Sequence, residues 1–120
     1  MFKAFNSKDF DLLKSVYAGN LVIIDGFAPY RWIGPNALDE WWADTEWWAK
    51  NGGVESERLS YQGMLASGVT GARAYASVSA TLTIQLTKGE PIIRPGTLVF
   101  TFAKLGELWK AEGHAWGRLS

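Results

Sequence analysis

From Ala76 to Leu86 the chain alternates strictly. Ala76, Val78, Ala80, Leu82, Ile84 and Leu86 fall on one side, with Ser77, Ser79, Thr81, Thr83 and Gln85 on the other. A period of two sustained this long predicts a strand with one buried face. Leu98, Phe100 and Phe102 alternate with Thr97, Val99 and Thr101 in the same way, and Leu59-Tyr61-Gly63-Leu65 and Leu108 to Trp116 complete four long strands. Turn-forming residues separate them at Ser67-Gly68 to Gly71, at Lys88-Gly89-Glu90-Pro91 and at Leu105-Gly106-Glu107. Four such strands in a meander predict an antiparallel sheet that twists and curls.

The first half reads differently. Asn6-Ser7-Lys8-Asp9 is a cap-type cluster ahead of Phe10, Leu13 and Val16-Tyr17, which recur at helical spacing, with Gly19 as a stop. Leu21 to Ile24 reads as a short strand ending at Asp25-Gly26. Pro29 to Ile33 reads as an extended partner to it. Gly34-Pro35-Asn36 opens a helix that Asn51-Gly52-Gly53 closes, with Asp39 and Glu40 at its positive end. At 100° per residue, Leu38, Trp41, Trp42, Thr45, Trp48 and Ala49 share one face, whereas Trp47 falls among the charged residues. Helices first and strands after predict an α+β domain spanning residues 1–120.

Composition narrows the function classes. The 120 residues carry twelve basic and twelve acidic side chains, so no net field draws nucleic acid or an anionic membrane. No apolar run is long enough to span a bilayer, and Met1 to Ala4-Phe5 lacks the apolar segment of a secretory leader, which predicts a cytoplasmic protein. Cysteine is absent and histidine occurs once, which excludes thiolate chemistry and leaves a zinc site without its usual ligands. No phosphate-binding glycine loop or nucleophile elbow is present. Neither a metal nor an organic cofactor is expected. The seven tryptophans are the compositional anomaly: they serve a core, a pocket wall or an interface.

Two residues are candidates for acid–base chemistry. Asp25 follows four apolar residues in phase with Leu21 and Ile23. Facing inward it would be a desolvated carboxylate of raised pKa; facing outward, a turn residue beside Gly26. His114 is the one side chain that ordinarily titrates near neutrality. The two are expected to meet across a cavity, the carboxylate orienting the imidazole. Tyr17, placed at the end of the first helix pattern, is a candidate for the pocket wall with Tyr30, Trp32, Phe102 and Trp116. Arg94, between Ile93 and Pro95, would either clamp an anionic ligand or join a surface ion pair. The uncharged Ser/Thr face from Ser77 to Thr83 predicts a homodimer formed through that side of the sheet, unless it is ordinary β-propensity on a solvated face.

Two stretches resemble a known family. Asp9 to Ala18, followed by Leu21-Val22-Ile23-Ile24-Asp25-Gly26 and Pro29-Tyr30-Arg31-Trp32-Ile33-Gly34-Pro35-Asn36-Ala37-Leu38, is similar to SnoaL-like proteins of the nuclear transport factor 2-like (NTF2-like) superfamily. Gly96 to Phe102 and Leu108 to Trp116 resemble their last two strands. The resemblance implies a cone of curved sheet around short N-terminal helices with a central pocket. It implies a small apolar or aromatic ligand, and isomerase, cyclase or hydrolase chemistry or simple binding. In the ketosteroid isomerase branch a carboxylate base follows the first strand, where Asp25 stands here. That branch also places a tyrosine on its first helix, and the matching stretch, Met1 to Phe5, has none. Two functional readings remain open: a cofactor-independent acid–base enzyme, or a non-catalytic ligand-binding or scaffold domain.

Overall fold

A computed structural model describes residues 1–119. The elements run α1 (Phe2–Ser7), α2 (Phe10–Ser15), β1 (Tyr17–Ile24), β2 (Arg31–Gly34), α3 (Ala37–Asn51), β3 (Val54–Thr70), β4 (Arg73–Leu86), β5 (Ile92–Leu105) and β6 (Leu108–Arg118). The strands form one mixed sheet in the order β2-β1-β6-β5-β4-β3. The architecture is α+β, as the alternation predicts, with β3 to β6 as the antiparallel meander.

The sheet is not wholly antiparallel. β1 lies parallel to β6, pairing Ile23 with His114 and Ile24 with Ala115. Gly113 makes this junction possible. Its φ of 149° and the absence of a side chain let the Val22 backbone pass where a Cβ would stand. The first helical pattern also ends earlier than Gly19. The Asp9 carboxylate caps the Leu12 N–H at 3.0 Å, and α2 stops at Ser15. There the Ala111 N–H bonds the Val16 carbonyl, capturing the chain onto β6, so Tyr17 opens a strand instead of closing a helix. Asn6, from the same cap-type cluster, instead joins α1 to β3. Its amide donates to the Leu59 carbonyl at 2.8 Å and accepts from the Leu59 N–H at 2.7 Å.

Register shifts in β3, at Val54/Ser56, Tyr61/Gly63 and Met64/Ala66, mark bulges that sharpen the bend of the sheet. They also break the expected Leu59–Leu65 face: Leu59 is buried, but Tyr61 and Leu65 are exposed. Helix α3 packs against β1, β2 and β3 with Ala37, Leu38, Trp41 and Thr45 buried. Trp47 is 67% exposed among its charged neighbours, as its phase requires. Val78, Ala80 and Ile84 of β4 join Leu98 and Phe100 of β5 on the concave side, where the aliphatic alternation placed them.

Candidate functional site

The concave side of the sheet does not close completely on the helices. It leaves a cavity of about 340 Å³, with Asp25, Phe27, Trp41, Trp48, Leu98, His114 and Trp116 in its wall. Charged groups line it as well: Glu57, Arg94 and Arg118.

Asp25 sits just past the end of β1. Its Oδ1 accepts the Gly26 N–H at 2.7 Å and its Oδ2 accepts the Trp41 indole N–H at 2.9 Å. Burial pushes its pKa above the ordinary carboxylate value, and these two hydrogen bonds pull part of the way back. One donor on each oxygen fixes the carboxylate plane and leaves further lone pairs open. Thus Asp25 is both a turn residue beside Gly26 and a cavity carboxylate.

His114, on β6, is 4% exposed. Its Nδ1 lies 2.7 Å from the Tyr17 hydroxyl. Burial lowers the imidazole pKa to about 4, so the ring is neutral near pH 7. Burial likewise raises the Tyr17 pKa, which keeps the phenol protonated. A protonated phenol donating to Nδ1 satisfies both buried groups and leaves the hydrogen on Nε2. No other side-chain hydrogen bond to His114 forms among the described residues, so Nε2–H is left to the cavity that the ring lines.

The expected Asp25–His114 contact does not form. The orienting partner of the imidazole is Tyr17, and Trp41 stands between the two candidate groups. Its N–H bonds Asp25 while its ring meets His114 edge-on, centroids 4.9 Å apart. An indole there separates carboxylate from imidazole and leaves each facing the cavity independently.

The proposed wall residues divide. Trp116 lines the cavity. Tyr17 stands behind His114, not at the surface of the cavity. Trp32 is 3% exposed and turned into the core beneath α3, its N–H bonded to Asp44 at 2.8 Å. Phe102 stacks on Phe100 against the core and does not reach the cavity. Tyr30 is 60% exposed: with φ of 74° in the turn before β2, it is swung away from the sheet. Trp32, Phe102 and Tyr30 therefore do not form the wall.

Phe27, Trp48 and Glu57 are cavity residues beyond those expected. Glu57 was legible: it lies in phase with Leu59 on β3, a charge on the inward side of a strand. Burial raises its pKa, Lys8 at 3.6 Å lowers it, and Asp25 raises it further. Phe27 sits in an irregular turn and carries no periodic signal. Among the described residues no group of three His, Asp or Glu side chains is arranged to hold a metal ion. No helix among them is long and apolar enough to cross a membrane.

This curled mixed sheet, with helices over its concave face, matches solved structures along nearly its whole length. A hexachlorocyclohexane dehydrochlorinase of the LinA type from Novosphingobium barchaimii superposes with a TM-score of 0.80 at 9% identity, covering 99% of this chain and 79% of that one. A candidate dehydratase of the NTF2-like family from Streptomyces avermitilis gives 0.77 at 15% identity, covering 98% and 88%. The fold is NTF2-like. An NTF2-like protein of unknown function from Pseudomonas putida gives 0.76 at 14% identity, covering 97% and 77%. No family model and no curated protein sequence matches the chain. At these identities the NTF2-like likeness establishes architecture, and the chemistry rests on the residues of the cavity.

Proposed function

We propose that the cavity binds a small apolar or aromatic molecule and moves a proton on it, with Asp25 as the base. The observation that carries this reading is the pairing of unlike groups on one apolar wall. Asp25 is a desolvated carboxylate held by one donor on each oxygen, and His114 is a neutral imidazole that keeps a free N–H. A base facing a C–H bond, with a neutral donor beside the atom where negative charge develops, suits enolisation or the elimination of a small leaving group. Tyr17 acts as a positioning residue, since it holds the imidazole tautomer and does not line the cavity. The names of two structural neighbours support the same class: a dehydrochlorinase and a candidate dehydratase each denote loss of a proton with a leaving group.

Asp25→Asn tests the assignment. It keeps the size of the side chain and removes the basic oxygen. Turnover of any substrate found for the protein should fall at least a hundredfold, the scale of one general base. Ligand binding and the circular dichroism spectrum should stay close to wild type. Unchanged turnover would take Asp25 out of the mechanism.

The convex side supports a second assignment, a homodimer. Ser79, Thr81 and Thr83 of β4 adjoin Thr97 and Val99 of β5, an uncharged strip, and Val22, Ile24 and Ile93 are exposed on the outward phase of their strands. A second copy of this chain would cover that face.

A further inference from the structure

Two arginines line the same cavity and take no part in the chemistry described above. Arg94 of β5 is half-buried, Arg118 of β6 is exposed, and both face inward. Among the described residues neither guanidinium has a carboxylate within 4 Å, although Lys8, Lys14 and Arg73 each have one.

The sheet register puts the two together. Gly96 pairs with Arg118, and Arg94 lies two residues before Gly96 on the same face, beside Leu82. Between them lies an aromatic floor. A Cβ at Gly96 would stand 2.5 Å from the Trp116 ring, so only glycine lets the indole lie across the strand. His114, Trp116 and Arg118 follow one another on the inward face of β6. Two residues of strand advance about 7 Å, so Arg118 starts about 13 Å from His114. The order along the wall is thus neutral donor, indole, guanidinium.

We infer that the molecule bound here carries a carboxylate, held by Arg94 and Arg118 at the rim, while its aromatic or alicyclic body lies on Trp116 and reaches toward Asp25 and His114. This rests on the ligand-pocket reading of the previous section and narrows it. Guanidinium groups offer paired N–H donors that match a carboxylate, and a half-buried cation without a partner is completed by an anion. The same anion is repelled by Asp25 and Glu57, the two carboxylates on the wall. One orientation therefore satisfies the charges: acid at the rim, apolar end inward. A cavity of about 340 Å³ suits a one- or two-ring acid.

The test is titration of the intrinsic tryptophan fluorescence with matched pairs: 2-naphthylacetate against 2-naphthylacetamide, and biphenyl-4-carboxylate against its amide. At low ionic strength the acid should bind at least tenfold more tightly than its amide, the scale of a charge-assisted pair. In the Arg94→Gln/Arg118→Gln double variant the acid should fall to the affinity of the amide, while the amide is unaffected. Equal affinity of acid and amide for the wild type would overturn the arginine assignment and leave the pocket standing. Equal loss of both ligands in the variant would also overturn it, since the arginines would then support the wall by packing alone. If neither acid nor amide binds, the pocket reading falls together with it. Urea denaturation of the variant establishes that it is folded at the assay temperature; if it is not, Arg118→Gln alone, an exposed position, carries the same comparison.

Discussion

His114 concentrates the energetics of the site in one side chain. Its folded-state pKa is lowered to about 4 by burial, against 6.5 in an unfolded chain. The unfolded state therefore binds the proton first. The stability held above pH 6.5 is lost as pH falls toward 4, by on the order of 3 kcal/mol. Asp25 and Glu57 run the other way. Their raised pKa values mean that protonation relieves a desolvation cost as pH falls, which offsets part of the loss. Comparing urea stability of wild type and His114→Phe from pH 7.5 to 4 isolates the histidine. The difference between the two proteins should shift against wild type across that window. A difference independent of pH would mean that His114 is not buried as a neutral ring. Tyr17 gives a companion test at the same scale. Tyr17→Phe removes the only side-chain hydrogen bond to the imidazole among the described residues and should cost about 1 to 2 kcal/mol by urea denaturation. No loss would mean that water replaces the phenol.

At the scale of elements, the junction of β1 with β6 decides whether the site exists. β1 delivers Asp25 and Tyr17, and β6 delivers His114 and Trp116, so the parallel pairing at Val22–Gly113 brings all four together. Gly113→Ala would combine an unfavourable φ with a clash against the Val22 backbone. We expect a stability loss of roughly 3 kcal/mol or more, read as a lower urea midpoint at unchanged slope. A loss below about 1 kcal/mol would show that the two strands can part without cost. Much of this level was legible in the sequence. The alternation of β4 and β5 and the caps of α3 are local signals; the caps match the bounds of α3, and the alternating stretches fall within longer observed strands. The end of α2 was not, because Val16 and Tyr17 fit helix or strand and only the Ala111–Val16 hydrogen bond chooses. Nor was the parallel pairing, which joins residues far apart in the chain.

For the whole molecule, the sheet has two faces of different use. The concave one carries the cavity; the convex one is uncharged from Ser77 to Thr83 of β4 and over Thr97 and Val99 of β5. If two copies meet there, Thr81→Arg combined with Thr97→Lys, both on that face, should convert the protein to a monomer. Light scattering during gel filtration would then read about half the wild-type mass. A wild type that already runs as a monomer would remove the dimer.

Periodicity by itself determined the class of fold, the inward side of β4 and β5, the exposed place of Trp47 and the shared phase of Asp25 with Leu21 and Ile23. These depend on neighbours two to four residues apart, and a linear pattern records such relations completely. Tertiary structure alone decided that Tyr17 and not Asp25 holds His114, that Trp41 separates the two, and that Trp32 and Phe102 fill the core instead of lining the cavity. Each of those outcomes turns on which strand lies beside which and how sharply the sheet bends. Long-range pairing and curvature set both, and neither leaves a local trace in the order of residues.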